Sequence, residues 1–274
     1  MVIDFCAYVG NWPTYQLPIR DADGLVEAMD NCGIDLAFVS LAGGGFRFDP
    51  GAANAELACR VKKHRARLFP VGIVDLHTPG WEEELRRDIR LHDLAGIRLH
   101  VNYSGKLLDA QELTRLGKIL AEQPLPLFVA AFIDEERFQH PSIRVPHVTV
   151  EQMLVVCRSC PETTIIINNL RPQEAEELFA SADFPLDRVF LDINAMDSPF
   201  DGLSTLVKTR GSGGLVYGSQ LPFLYPESAL VLVRQSNLAE VDQQAIMDLN
   251  WRKNEHLQAV VHRQLQNNNN KEQR

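Results

Sequence analysis

Residues 68–101 read LFPVGIVDLHTPGWEEELRRDIRLHDLAGIRLHV, which predicts a strand, a helix and a second strand in succession. The candidate strands, Leu68–Val74 and 96–101, are short and rich in Val, Ile and Leu, as expected of parallel strands covered on both faces. Between them, Trp81–His92 carries acidic residues early and arginines late, an order that complements the helix dipole. The segment therefore predicts one strand–helix–strand unit of a parallel sheet.

The same alternation continues in both directions along the chain. The other candidate strands are residues 2–7, 36–41, 125–131, 164–168, 188–193 and 215–219. The other candidate helices are residues 22–32, 52–64, 109–122, 149–160, 172–181, 200–210 and 227–235. Strands that alternate with helices in this way predict an α/β protein with a (β/α)8 TIM barrel, and a doubly wound open sheet is the alternative.

The C-terminal part of the sequence predicts two more helices, at 241–249 and 253–264, as an extension on the outside of the barrel. No linker or repeat divides the chain, so residues 1–263 are expected to form one domain. The polar stretch 264–274 is expected to be a disordered tail.

Composition and charge exclude several classes of protein. Hydrophobic residues make up 45% of the chain, as in globular proteins. The net charge of −9 and the lack of a basic cluster argue against nucleic-acid binding. The apolar run 125–133 contains Pro126 and is too short to span a membrane. Five cysteines are sparse and odd in number, which favours a reducing, cytoplasmic location.

Candidate functional residues lie where the predicted strands end. In a (β/α)8 barrel, functional side chains come from the carboxyl ends of the strands and from the loops that follow. The polar or reactive side chains at these ends are Cys6, Tyr8, Arg98, His100, Asn168, Asn169, Asp192 and Gln220. No nucleotide-binding glycine motif is found, and no cofactor is predicted.

Three stretches, IDFCAYVG (3–10), AGIRLHVNY (95–103) and LVYGSQLPF (215–223), together resemble the amidohydrolase-related family of metal-dependent hydrolases and decarboxylases. The opening IDFCAYVG (3–10) is similar to the family's first strand, I-D-x-H-x-H, and AGIRLHVNY (95–103) to its G-x-R/K-L-H-P strand. LVYGSQLPF (215–223) resembles its L-x-x-G-S-D-x-P stretch. The resemblance follows the family's order over nearly the whole chain and implies a TIM barrel.

The chain departs from this family at each metal ligand. Where the family has four histidines and an aspartate, the corresponding residues are Cys6, Tyr8, Ala130 or Ala131, Asn168 or Asn169, and Gln220. Amide and methyl side chains do not supply the donors that a divalent metal needs. The comparison with the family therefore implies a chain that has lost the metal site and the hydrolytic mechanism.

The remaining residues allow more than one role. Cys6 is either a nucleophile activated by His100 or a small buried side chain that fills space. Arg98 either holds a substrate carboxylate or pairs with Asp4 or Asp192. The amides are expected either to bind a polar ligand or to hydrogen-bond one another.

The leading interpretation is a pseudoenzyme that binds a small polar or carboxylate ligand, or a partner protein, without metal-assisted hydrolysis. One alternative is a metal-independent hydrolase or lyase that acts on a carboxylate or lactone with Arg98, His100 and Cys6 or Tyr8. A further alternative is a metal-dependent enzyme with other ligands, namely His100, His140, His147 and Asp192. Whether the chain is catalytic is left open, and a catalytic chain would be a hydrolase or carbon–carbon lyase. Related barrels often pair, so a homo-oligomer is also expected.

Overall fold

The computed structural model describes residues 1–182, 184–196 and 201–272, with the backbone alone for 268–272. The strands are β1 (Ile3–Val9), β2 (Leu36–Leu41), β3 (Leu68–Val74), β4 (Gly96–Leu99), β5 (Leu127–Ala130), β6 (Ile165–Asn168), β7 (Val189–Asp192) and β8 (Leu215–Val216). The helices that alternate with them are α1 (Ala22–Cys32), α2 (Pro50–Val61), α3 (Trp81–His92), α4 (Ala110–Glu122), α5 (Val150–Ser159), α6 (Pro172–Ala180), α7 (Gly202–Arg210) and α8 (Pro226–Gln235).

The strands pair in chain order from β1 to β8, and all seven pairings between neighbours are parallel. The segment that follows β8 returns to β1, where a parallel bridge joins Ala7 to Leu221. In addition, the backbone N–H of Phe5 donates to the carbonyl of Tyr217 at 3.0 Å. These contacts make the sheet a nearly closed barrel rather than an open sheet and confirm the predicted (β/α)8 fold.

Aromatic rings from four strands fill part of the barrel interior. Phe38 on β2 stacks on Phe5 with a ring-centroid distance of 5.1 Å and contacts Phe69 and Phe128 at 5.6 and 5.4 Å. All four side chains are fully or almost fully buried. Because β2 and β5 are not neighbours, the contact between Phe38 and Phe128 crosses the interior and shows that it is packed.

A bulge in β1 sets the directions of its side chains. The register between β1 and β2 shifts between Asp4 and Ala7, so that a strict alternation is interrupted there. Phe5 packs on the aromatic interior, whereas the Cys6 thiol reaches Asn169 on the far side of the barrel. The bulge therefore lets successive residues of β1 serve both the apolar core and the polar layer nearer the mouth.

Most predicted elements agree with the structure, and the differences lie mainly at their ends. β2, β3, α1 and α3 have the predicted bounds. β8 ends at Val216 instead of continuing to residue 219, and the backbone N–H of Ser219 donates to the Asp4 side chain rather than to the backbone of a neighbouring strand. The predicted helix 200–210 is α7, and its first residue, Phe200, lies outside the described residues.

The predicted C-terminal extension is present as helix α9 (Glu240–Gln244), a π-helical turn over Ala245–Leu249 and helix α10 (Glu255–Glu272). Residues 264–272, predicted to belong to a disordered tail, continue α10, and the last two residues lie outside the described part. The single-domain assignment with its boundary at residue 263 stays a prediction. None of the described helices combines the length and the apolar character that crossing a membrane requires.

Asn54 on α2 connects the outer helices to the sheet. Its buried amide accepts from the N–H of Ile73 at 2.7 Å and donates to the carbonyl of Ile73 and to Asp88 on α3, both at 3.0 Å. One side chain thus satisfies polar groups of a strand and of a neighbouring helix, and these groups have no access to water.

We predict that Asn54→Ala lowers the free energy of unfolding by roughly 2–3 kcal/mol, because the N–H of Ile73 and the Asp88 carboxylate lose a buried partner. Denaturant unfolding measures this change. The control is Asn31→Ala on the exposed side of α1, which we expect to stay within about 0.5 kcal/mol of the parent. Equal stabilities of the two variants would contradict this role of Asn54.

Candidate functional site

A cavity of about 990 Å³ opens at the carboxyl ends of β5 to β8. Its lining comes from the segments that follow these strands and from the loop after β1. The lining residues used below are Tyr15, Asp134, Glu135, Glu136, Phe138, Arg171, Asn194, Gln220 and Phe223. This is the end of a (β/α)8 barrel at which ligand sites are found, and we refer to it as the mouth cavity.

Below the mouth cavity, Asp192 is the centre of a buried polar network. Its carboxylate accepts from the backbone N–H of Asn169 at 2.9 Å and from the side chains of Asn168 and Asn194 at 2.7 and 3.0 Å. Burial raises the pKa of Asp192 to about 7, although the hydrogen bonds from Asn169 and Asn168 oppose this shift. We call Asn168, Asn169, Asp192 and Asn194 the Asn–Asp network.

The amides of this network are held by one another and by the backbone. Asn169 adopts a left-handed conformation with φ of +64°, which asparagine tolerates, and this brings its N–H to Asp192. Its side-chain nitrogen donates to the carbonyl of Phe132, and its oxygen accepts from Asn194 at 2.7 Å. Asn168 and Asn169 therefore lie close together as expected, and they bind protein groups.

Arg98 on β4 is completely buried and borders the network. Its Nε donates to the hydroxyl of Ser40 at 2.8 Å and one terminal nitrogen to Asn168 at 2.9 Å. The guanidinium carbon lies 5.0 Å from the ring centroid of Tyr8 and 5.4 Å from that of Phe128, a cation–π arrangement. The sequence offered Asp4 or Asp192 as its partner, whereas the structure connects Arg98 to Asp192 through Asn168.

Asp4 is instead occupied at the closure of the barrel. It accepts from the N–H of Cys6 and from the N–H of Ser219, both at 2.9 Å, and from the Ser219 hydroxyl. Burial raises its pKa, although these hydrogen bonds oppose the shift. Asp4 thus belongs to the junction between β1 and the segment after β8.

The side chains of Cys6 and Tyr8 are buried within the barrel and are not activated. The Cys6 sulfur lies 3.6 Å from Oδ1 of Asn169 and 4.0 Å from the Tyr8 hydroxyl. Burial raises the pKa of the thiol well above its usual value, and the charge of Asp192 adds to this effect. Burial also raises the pKa of Tyr8. The thiol is therefore protonated at neutral pH, which disfavours the nucleophilic role.

His100 lies apart from Cys6, beside the glycine-rich loop after β2. Its ring packs against that of Tyr103 at a centroid distance of 5.1 Å, and a Cβ on Gly45 would come within 2.9 Å of the imidazole. Burial and the charge of Arg98 lower the pKa of His100 to about 3, so its imidazole is neutral at physiological pH. No hydrogen bond joins His100 to Cys6 within the part of the chain that the structure describes.

The pairing of β4, β5 and β6 shows which of Ala130 and Ala131 faces the barrel interior, and a hydrogen bond places Gln220. Ala130 pairs with Asn168, and Phe128, two residues earlier, pairs with Arg98 and Ile166 on the neighbouring strands. Because Arg98 and Phe128 both face the interior, Ala130 rather than Ala131 shares that face. Gln220 donates to the carbonyl of Ile133 at 2.6 Å and borders the mouth cavity.

These side chains do not fit a divalent metal ion. The positions that the family resemblance assigns to ligands supply a protonated thiol, a phenol, a methyl group and neutral amides, and the amide oxygens of Asn168 and Asn169 already accept hydrogen bonds from Arg98 and Asn194. The guanidinium of Arg98 adds a positive charge beside them, which would repel a metal cation. Within the described ranges, no three His, Cys, Asp or Glu side chains are arranged to hold a metal.

The other set of proposed metal ligands is not brought together either. His140 is exposed, and its Nδ1 accepts from the N–H of Ser142. His147 stacks on Phe132 with a ring-centroid distance of 4.6 Å, and Asp192 lies in the buried network. This geometry gives no support to a metal site with these ligands.

Sequence reasoning did not select three residues that the structure places at the site. Ser40, the partner of Arg98, is the only hydroxyl in the otherwise apolar strand β2, and that isolated polar residue was the available signal. Tyr15 and Asp134 come from two different loops and meet at 3.2 Å between the tyrosine hydroxyl and Oδ1. No periodic pattern in the sequence indicates such a contact between loops.

Comparisons with known proteins support the fold. No protein-family model and no curated protein sequence matches this chain. Among solved structures, an amidohydrolase II is similar with a TM-score of 0.70 and 15% identity, over 96% of this chain and all of that one. The 2,6-dihydroxybenzoate decarboxylase from Rhizobium has a TM-score of 0.67 and 14% identity, over 93% of this chain and 99% of its own.

A further similar structure is the 5-carboxyvanillate decarboxylase from Novosphingobium aromaticivorans, determined as a mutant with bound manganese. Its TM-score is 0.69 at 14% identity, and the match covers 94% of this chain and 97% of that one. At these identities the likeness establishes the barrel fold that the chain shares with these enzymes and does not establish a shared activity.

We predict that Cys6 does not react with iodoacetamide in the folded protein, because its thiol is buried and protonated. Cys59 is exposed and should be alkylated first. Mass spectrometry of peptides after native and denatured labelling measures both sites, with Cys59→Ser as the control. Alkylation of Cys6 at the rate of Cys59 would instead support a nucleophilic role.

We predict that Asp192 makes stability fall as pH rises from about 5 to 7. Between the unfolded value of 3.8 and the folded pKa of about 7, only the folded carboxyl holds a proton, so deprotonation favours the unfolded chain. The contribution is at most about 1.4 kcal/mol per pH unit. Asp192→Asn should remove this part of the slope in denaturant unfolding, whereas the exposed Asp187→Asn should keep it. An unchanged slope in Asp192→Asn would contradict the assignment.

Proposed function

We propose that this chain is a divergent relative of the amidohydrolase superfamily that binds a small polar molecule in the mouth cavity without metal-assisted hydrolysis. One observation carries the proposal. The barrel end has an open cavity, but the side chains beneath it hydrogen-bond mainly to protein groups around Arg98 and the Asn–Asp network instead of forming a set of free metal donors.

The electrostatics of the residues near the cavity support the same proposal. A hydrolytic site needs a nucleophile or a base whose pKa lies near the working pH. The pKa of Cys6 is raised, so its thiol stays protonated, and that of His100 is lowered to about 3, so its neutral imidazole is a weak base. These directions favour ligand binding over the metal-independent hydrolase or lyase.

Asp192 is the one carboxyl in this region whose pKa, at about 7, suits proton transfer. It is fully buried, and its oxygens accept hydrogen bonds from three asparagines, so a bound molecule has no direct route to it. We therefore assign Asp192 a structural role, as the acceptor that orders the Asn–Asp network. A cytoplasmic location is part of the proposal, since all five cysteines are unpaired.

We predict that the protein, purified without a metal-affinity tag and supplied in turn with zinc, manganese and iron, retains less than about a tenth of an equivalent of each. The reason is the lack of fit between the amide-rich donor set and a divalent cation. Elemental analysis measures the metal content.

Thermal unfolding with and without a chelator provides a control that does not depend on activity. A metal that binds only the folded state adds to its stability, so we expect no change in the midpoint on chelation. Close to one equivalent of a single metal, together with a midpoint lowered by chelation, would overturn the proposal.

A further inference from the structure

Asn194 lines the mouth cavity and carries a buried acceptor. Its side-chain nitrogen donates to Asn169 at 2.7 Å and to Asp192 at 3.0 Å, and these two acceptors establish which end of the amide is nitrogen. The oxygen at the other end has no hydrogen-bond partner among the residues that the structure describes, although Asn194 is only 7% exposed. A buried acceptor without a partner is unfavourable, and a ligand that donates a hydrogen bond to it would remove that cost.

The charges around the cavity favour a cation. The described lining contains three carboxylates, those of Asp134, Glu135 and Glu136, and two guanidiniums. Glu135 lies 3.4 Å from Arg171 and 3.6 Å from Arg137, so it is the carboxylate that these arginines share. Asp134 and Glu136 form no ion pair within the described residues and leave the lining with an excess of negative charge.

The carboxylate of Asp134 is held in place by a hydrogen bond, and a nearby cation would stabilise its ionised form. It is 6% exposed and accepts from the Tyr15 hydroxyl at 3.2 Å. Burial raises its pKa, the Tyr15 hydrogen bond opposes this, and the neighbouring charge of Glu135 adds to the rise. A positive group in the cavity would favour the ionised form of Asp134 and reduce its repulsion from Glu135.

The aromatic part of the lining suits the same type of ligand. The guanidinium of Arg137 lies 5.5 Å from the ring centroid of Phe138, and that of Arg171 lies 5.6 Å from that of Phe132, so cations already pack on aromatic rings here. Tyr15 and Phe223 line the cavity as well and offer further apolar area for the body of a ligand.

We propose that the mouth cavity binds an organic amine. This inference rests on the proposed function, that is, on ligand binding in the same cavity. The ammonium group of the amine donates to Oδ1 of Asn194 and lies near the carboxylates of Asp134 and Glu136, while its apolar body packs on the aromatic lining. This class has the charge opposite to that of the dihydroxybenzoate and carboxyvanillate named for the similar decarboxylases.

The test compares three probes that share one ring and differ in charge: 2-phenylethylamine, 2-phenylethanol and 3-phenylpropionate. Their binding to the full-length protein is measured by saturation-transfer NMR and by calorimetry. We expect the amine to bind roughly tenfold or more tightly than either of the others, as a charge-assisted hydrogen bond and an opposite charge predict.

Three cavity variants and one control variant locate the binding. Asp134→Asn and Glu136→Gln remove charge with little change in volume, and we expect each to weaken amine binding, the buried Asp134 position by about tenfold. Glu83→Gln removes an exposed carboxylate of α3 and should leave binding unchanged. Phe223→Ala removes part of the apolar lining and should weaken all probes that occupy the cavity.

The outcomes separate the two proposals. Preferred binding of the alcohol or the carboxylate, weakened by Phe223→Ala, would overturn the amine inference and leave the proposed function in place. Amine binding that is insensitive to Asp134→Asn would also overturn the inference. If none of the probes binds with a Kd of about 1 mM or better, both proposals fail.

Discussion

The buried charge of Arg98 is the constraint on which the polar part of the barrel depends. A guanidinium removed from water is tolerated only where hydrogen bonds and other charges compensate for its lost hydration. Ser40 on β2 and Asn168 on β6 supply the hydrogen bonds, and the rings of Tyr8 and Phe128 lie close to the guanidinium. These residues belong to four different strands, so the contacts of Arg98 connect β1, β2, β5 and β6 across the barrel interior.

The same constraint extends through Asn168 to Asp192 and determines the chemistry of the region. The pKa of Asp192 is raised by burial, that of Cys6 is raised by burial, and that of His100 is lowered by burial and by the charge of Arg98. In each case the neutral form gains in the folded protein. The layer is therefore well ordered by hydrogen bonds, while its thiol is held protonated and its imidazole is a weak base.

Above this layer the loops provide a different environment. β5 and β6 end in the small Ala130 and the amide Asn168, whereas the segments that follow β5 to β8 bring acidic and aromatic residues to the cavity. Asn194 connects the two levels, because its amide nitrogen belongs to the buried network, its oxygen has no partner in the described part of the chain, and the residue lines the cavity. A rigid barrel with specificity residues on its loops is the usual division of roles in this fold.

The sequence by itself determined the architecture, since hydrophobic periodicity and helix-end signals are local properties of the chain. The bounds of Leu36–Leu41 and Trp81–His92 follow from it, as does the placement of Arg98, Asn168 and Asp192 at one end of the barrel. It also indicated which residues replace the metal ligands of the family that the chain resembles. Only the tertiary structure decided what these residues do. Hydrogen-bond partners, burial and the resulting pKa shifts depend on contacts between residues far apart in the chain, and the loops that form the cavity have no periodic pattern from which those contacts follow.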